Sequence, residues 1–364
     1  MSDAISRLLT VGSASYAPED VHFLLQAVQM DVTDVEEKER LIQTKQKHYS
    51  EMISLESAPS DVHKALYDRV LAQNGARMAA DVQALALGLN EACTGASIVL
   101  VSFVRAGLPL GVLLRRALID MGREAFHYGI SIVRDRGIDT VALEAIIQTH
   151  GAENIVFVDG WTGKGAISGE IQRSLGADAR FPKSPRLVVL ADPCGRAWMA
   201  ASSEDWVIPS GILGATVSGL VSRSIWPENG GLHGCVVYDH LREHDVTQTF
   251  IEQIETHRKT LGIVPKAVPW TDAQRLELQG AATHVVAALA ARFEVSNLNR
   301  VKPGIAEATR AVLRRVPHHV LIRDRNDSDV QLLMHLTEAA GVPVEEVGAQ
   351  LGPYRAVTII RSLG

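Results

Sequence analysis

Cysteine is scarce in this chain. Cys93, Cys194 and Cys235 are the whole complement of 364 residues, and no two of them form a C-x-x-C pair. That spacing excludes a disulfide framework and a cysteine-based zinc knuckle. No apolar run approaches the roughly 20 residues that cross a bilayer, and the first residues lack the basic start and unbroken apolar stretch of a secretory leader. A cytoplasmic protein without a membrane partner is expected. Positive charge is not in excess either: a net charge of −6 and a pI near 6.1 argue against a protein that coats nucleic acid over its whole surface. A local basic patch remains open. Two phosphate-binding signatures are missing as well. A Walker A loop fails because Val158 stands where its first glycine belongs and Gly165 follows the lysine; a dinucleotide fingerprint fails because the acid, Asp159, sits at the strand end itself.

What the chain has is 46% hydrophobic and 21% charged residues, the balance of an ordinary soluble globular protein, at a length that suits two domains. Residues 155–158 form a short β-branched and aromatic run, which reads as a strand buried on both faces. Asp159 ends it, and Gly160, Gly163 and Gly165 punctuate the turn into a helix. Glycines at such a turn let backbone N–H groups converge on an anion. Gly160, Thr162, Gly163, Lys164 and Gly165 are therefore expected to cradle a phosphate. The order of apolar strand, acid and Thr-Gly turn resembles the phosphoribosyl diphosphate loop of type I phosphoribosyltransferases, with Gly160 where those enzymes carry a second acid.

Other strand ends carry similar chemistry. A strand over 98–104 runs into Arg105, Ala106 and Gly107, which resemble the pyrophosphate loop of the same enzymes. A glycine lets amides approach a diphosphate and an arginine offers a fork of donors; the alternative is a plain strand-to-helix turn with a solvated arginine. A strand over 126–133 ends in Arg134 and Arg136 around Asp135, suited to closing over an anion or to pairing in solvent. A strand over 186–191 ends at Asp192, a candidate to contact an acceptor or a metal, and Arg223 lies among the hydroxyl and apolar residues of 216–224 as a second acceptor candidate. In an open parallel sheet such carboxyl ends share one edge, where ligands bind. For thiol chemistry, Cys194 beside Gly195 is the best-placed nucleophile, with His48, His127 or His233 as its base, whereas Cys235 reads as a buried strand residue.

Residues 1–90 read as a helical extension, with the charged tract 34–40 as a solvated face and 62–89 as a long packed helix; a further short strand is read at 206–210. Residues 266–297 read as a helical linker and 298–364 as a small α/β/α unit. Arg310, Arg314 and Arg315 belong to the basic bias of that unit, which would meet an RNA backbone or simply face solvent. Tyr354 is its only aromatic residue, so phosphates and shape would carry such binding.

Residues 16–20, 48–52, 105–107, 131–137, 158–166 and 216–224 together make the chain resemble the bacterial StiP family along nearly its whole length. The resemblance implies a setting near tellurite-resistance and stress genes. It implies a phosphoribosyltransferase-like α/β domain over residues 1–265 and a pelota-like RNA-binding domain at the C-terminal end. It also implies an activity described either as phosphoribosyl transfer or as cysteine proteolysis. The leading expectation is a glycosyltransferase reaction that moves phosphoribosyl from phosphoribosyl diphosphate, held with Mg2+, to an acceptor. Asp159 would hold ribose hydroxyls, Arg105, Ala106 and Gly107 the pyrophosphate, and Arg134 and Arg136 would close over it. A non-catalytic sensor of a phosphoribosyl ligand and a thiol protease are the other two readings, and a homo-oligomer is expected.

Overall fold

The computed structural model describes residues 4–228 and 230–362. The N-terminal extension departs from the helical expectation. Up to residue 60 it is mostly irregular; its described elements are strand β1 (His22–Phe23), a two-residue strand at Gln26–Ala27 that pairs with Gly234–Cys235, helix α1 (Val35–Gln43) and a 3-10 turn at Tyr49–Glu51. Helix α1 begins where Asp34 accepts from the Glu36 and Glu37 N–H groups at 2.8 and 3.3 Å. The long helix is present as α2 (Asp61–Ala92), capped by Ser60 Oγ, which accepts from the His63 N–H at 3.2 Å.

Strands and helices then alternate: β2 (Ser97–Phe103), α3 (Gly107–Asp120), β3 (Glu124–Ile130), α4 (Thr140–His150), β4 (Ile155–Val158), α5 (Ala166–Leu175), β5 (Leu187–Ala191) and β6 (Met199–Ser202). They build a six-stranded parallel sheet in the order β1-β3-β2-β4-β5-β6. Every residue of β2, β4 and β5 is buried, as a parallel sheet covered on both faces demands. Ile98, Leu100, Val156 and Leu190 pack on α2, α3 and α6 (Thr247–Lys259). Val99, Val101 and Phe157 pack on α4 and α5. Each fully buried aliphatic side chain contributes about 2 kcal/mol. The edge strand is β6, where none was read; residues 206–210 instead run into a 3-10 turn that starts at Pro209, whose ring nitrogen has no proton for a ladder. The chain pairs β3 on one side of β2 and β4 on the other, so the switch point lies between β2 and β4.

The C-terminal part holds α7 (Asp272–Arg292), β7 (Val301–Pro303), α8 (Ile305–Arg314), β8 (Pro317–Ile322), α9 (Gln331–Ala339), β9 (Val344–Glu346) and β10 (Ala356–Ile360). Its mixed sheet has the order β7-β10-β8-β9, with β10 antiparallel to both neighbours. Helix α7 packs Val285, Val286 and Leu289 against Val301, Leu321 and Ile359. It is a layer of this domain, which corrects its reading as a linker. The two parts are fastened together. Both carboxylate oxygens of Asp205 accept from the Ile305 N–H, at 2.9 and 3.0 Å, and so begin α8. Tyr354 donates its hydroxyl proton to the Gly163 carbonyl at 2.8 Å. Among the described residues no helix is long and apolar enough to cross a membrane.

Candidate functional site

A cavity of about 350 Å³ opens at the switch point. The loops after β2 and β4 form one wall, β7 and α8 form the facing wall, and Lys38, Ile42 and Tyr49 of the N-terminal extension line a third side. Nine cationic side chains line it: Lys38, Arg105, Arg134, Lys164, Arg223, Lys302, Arg310, Arg314 and Arg315. Only Asp159 and Glu307 oppose them in the lining. Burial pushes the Lys302 ammonium down to about 7; burial, helped by neighbouring cations, brings Lys38 and Lys164 to about 8. Arg314 is pushed down to about 9 by burial and then by Arg105, and Arg223 to about 10 by burial. Burial also lifts the Asp159 carboxyl to about 7. Desolvated positive charge at this density favours an anion.

The residues expected to hold phosphoribosyl diphosphate line this cavity in part: Ala106, Asp159, Thr162, Gly163, Lys164 and Gly165 are in its wall, whereas Gly107, Gly160 and Arg136 are not. Arg105 is engaged within the protein, its Nη1 donating to the Val221 carbonyl at 3.0 Å and its Nη2 to Glu56 at 2.9 Å. A Cβ on Gly107 would fall 2.2 Å from the Val158 carbonyl oxygen, and one on Gly160 would fall 2.9 Å from that of Ala106. These glycines serve the close approach of the loops after β2 and β4. Gly163 lies against Pro303 and Glu307, and Gly165, with φ +82°, lies under the Arg196 side chain. Lys164 donates to the Leu298 carbonyl and, at 3.0 Å, to that of Val301. The C-terminal domain thus packs against the glycine turn, whose Thr162, Gly163, Lys164 and Gly165 still line the cavity. Asp159 is buried and accepts from the Gly160 N–H at 2.8 Å.

Asp192 is fully buried and accepts from the Thr162 hydroxyl, from the Arg196 and Ala197 N–H groups at 2.9 and 2.8 Å, and from Trp270 Nε1 at 3.0 Å. It organises a loop and has no face toward an acceptor. Arg134 lines the cleft, whereas Arg136 pairs with Glu51 and lies over the Trp226 ring, 5.2 Å from its centre. Arg310 lies over the Trp161 ring at 5.6 Å. Arg314 reaches Glu56 at 3.4 Å, and Arg315 forms a two-point pair with Glu39.

The cysteines are all buried. Cys194 Sγ lies 3.2 Å from Thr162 Oγ1 and 3.8 Å from Asp192 Oδ1; burial, then the neighbouring Asp192, push its thiol well up. Burial pushes Cys235 up to about 12 and raises Cys93 as well. The three histidines considered as bases bond elsewhere. His48 Nδ1 meets Ser50 Oγ at 2.8 Å, His127 Nε2 meets Ser102 Oγ at 2.7 Å, and His233 Nδ1 meets Ser131 Oγ at 2.6 Å.

Lys38, Trp161, Ser224 and Glu307 are cleft residues that the sequence did not single out. Lys38 was within reach: Val35, Lys38, Glu39 and Ile42 share one face of α1, so the charged tract has an apolar-edged inner side. Lys38 and Glu39 are both buried there, which corrects the reading of this tract as solvated.

Residues 14–255 match the family described as "Tellurite-like stress resistance cysteine protease StiP", and residues 280–362 match the "PELOTA RNA binding domain". A protein of Acinetobacter baylyi named "Cysteine protease StiP" is 53% identical over 369 residues, covering 97% of this chain and 95% of the relative. A solved glycine decarboxylase P-protein aligns at 13% identity over 92% of this chain and 88% of its own, with a TM-score of 0.25, and carries no argument. The family description and the relative's name both specify a cysteine protease, which overturns the expected phosphoribosyl transfer and the expected phosphoribosyl diphosphate ligand. Among the described residues no group of three or more His, Cys, Asp or Glu is placed to hold a metal ion. By the extent of these matches, the chain belongs to the StiP family and carries a PELOTA domain at its C-terminal end.

Proposed function

We propose that this protein is a stress-linked cysteine protease that also engages RNA through its C-terminal domain. The observation that supports the protease is the 53% identity, over 97% of the chain, to a relative named for that activity. Cys194 is the thiol assigned to it: all three cysteines lie in core clusters, but its Sγ alone reaches Thr162, a residue of the cleft lining. In the form described here α7 seals this thiol: Gln279 Nε2 donates to the Gly195 carbonyl at 2.8 Å. On this reading the thiolate forms only once α7 lifts and water reaches the loop. The test is hydrolysis of a fluorescently labelled unfolded protein by the full chain, with Cys194→Ala beside Cys93→Ala and Cys235→Ala. Loss confined to Cys194→Ala is expected; hydrolysis retained by Cys194→Ala overturns the assignment, and no hydrolysis by the unaltered chain overturns the protease.

The RNA half is supported by the PELOTA match and by the surplus of cations that α8 and β7 present to the cleft. Binding through phosphates makes the logarithm of affinity fall linearly with the logarithm of salt concentration. Filter binding of a short single-stranded RNA across a salt series tests it, and an affinity insensitive to salt speaks against it.

A further inference from the structure

The cations of the cleft are not equally provided for. Arg105 and Arg314 share the Glu56 carboxylate, which also accepts from the Ala215 N–H at 2.6 Å. Arg315 holds Glu39. Glu307 lies within the field of Arg310, Lys302, Lys164 and Arg134. Each of these groups has an internal carboxylate as its counter-ion. Arg223 has none among the described residues: it donates Nη2 to the Met52 carbonyl, a neutral acceptor, while Lys38 Nζ beside it donates to Ser54 Oγ at 2.6 Å and feels Glu39, and Arg134 pairs with Asp135 at 3.3 Å.

The corner around Arg223 also carries polar atoms without partners. Arg223 Nη1 and Ser224 Oγ are buried and have no hydrogen-bond partner, and Ser224 is 4% exposed. Both residues line the cavity, with Lys38, Tyr49 and Arg134. The Tyr49 ring is flanked by the guanidinium groups of Arg134 and Arg223, at 5.3 and 5.2 Å from its centre. Its hydroxyl oxygen accepts from the Arg134 N–H at 2.7 Å, which fixes the ring in place. A buried donor without an acceptor is a costly feature to retain in a folded chain.

We propose that the corner formed by Lys38, Tyr49, Arg134, Arg223 and Ser224 binds the terminal phosphate monoester of a nucleotide. The dianion matches three converging cations of which Arg223 has no carboxylate partner, and its oxygens accept from Arg223 Nη1 and the Ser224 hydroxyl. A chain end suits this place better than an internal phosphodiester. The diester brings one charge and two chain exits, and the corner is buried. That the ligand is a nucleotide rests on the RNA reading of the C-terminal domain. Two sources share this chemistry, the phosphorylated end of an RNA strand and a free mononucleotide.

Fluorescence anisotropy of the full chain with one short single-stranded RNA, carrying a 5′-phosphate, a 3′-phosphate or hydroxyls at both ends, tests the proposal, with adenosine monophosphate as competitor. One phosphorylated form is expected to bind about tenfold tighter than the hydroxyl form, a difference lost in Arg223→Gln and reduced in Ser224→Ala. The serine variant keeps the test valid should Arg223→Gln fail to fold. Competition by the mononucleotide assigns a free nucleotide as the source; its absence assigns an RNA end. Equal affinity for all three RNAs overturns the proposal and leaves RNA binding standing. Binding of the mononucleotide without any RNA overturns the RNA reading and leaves the phosphate corner standing. No binding of either overturns both.

Discussion

Two polar regions lie on either side of the loop that follows β4, and they are built on opposite terms. On one side, Asp192, Thr162, Cys194 and Trp270 form a network in which the carboxylate accepts from four donors and is fully buried. On the other, the cleft gathers nine cations, leaves Arg223 Nη1 and Ser224 Oγ without partners, and suppresses the charge on Lys302. A satisfied buried network rigidifies, whereas an unsatisfied one stores electrostatic free energy that a ligand can release. The first region is scaffold and the second is site. The position of Cys194 inside the scaffold is the reason that thiol chemistry here requires motion.

The largest effect that would break this contrast is expected at Asp192. Asp192→Ala strands four donors and is expected to cost about 3 to 5 kcal/mol in denaturant unfolding, whereas Arg223→Gln stays within about 1 kcal/mol. Equal losses would erase the distinction. Next comes Gly107→Ala: its new Cβ meets backbone at 2.2 Å, and a loss of about 2 to 3 kcal/mol is expected by the same measurement, since overpacking against main chain has no cheap relief.

The cleft itself is sharpened by pH. Lys302 near 7, Lys38 and Lys164 near 8 and Asp159 near 7 all sit in the titration range. Lys302 faces Glu307, Arg315, Lys164 and Arg134. A bound anion favours the charged lysines and the protonated Asp159. Below these pKa values the cleft is already in that state; above them each group must take up a proton first. RNA affinity is therefore expected to weaken by about tenfold or more between roughly pH 6.5 and 8.5, and an affinity that strengthens with pH would contradict the assignment. The smallest effect is expected for Glu56→Gln. Burial works against this carboxylate, yet Arg105 and Arg314 hold it near 2. Removing its charge frees both arginines and should raise RNA affinity by about threefold; weaker binding would mean that Glu56 positions the arginines and does not compete for them.

Much of the framework was legible in the chain because its signals are local. The β-branched runs ending at Phe103, Val158 and Ala191 became buried parallel strands, and the fastening of loops at their carboxyl ends followed from sheet geometry. Arg134, Arg223, Arg310, Arg314 and Arg315 were named before their meeting place was known. What could not be read was the occupancy of each loop. The Gly160–Gly165 turn has the local form of an anion cradle, but Pro303, Glu307 and Tyr354, more than 130 residues away, pack against its Gly163. Gly214 carries the same lesson. A Cβ there would fall 1.6 Å from Glu56 Oε1, so this glycine exists to admit a carboxylate from another segment. The N-terminal extension was misread because its order comes from contact with the sheet and the C-terminal domain, such as Glu39 with Arg315, and owes little to its own periodicity.

Asp205 joins the two halves of the molecule. The residue that starts α8 is borrowed from the other half of the molecule, and it also accepts from the Arg355 N–H at 2.8 Å. A protein divided between the halves would hand each piece an unfinished end: a helix without its cap on one side, an acid with nothing to hold on the other. Heating should accordingly melt the whole chain in one step, and any occupant spanning the crevice would tighten both halves together.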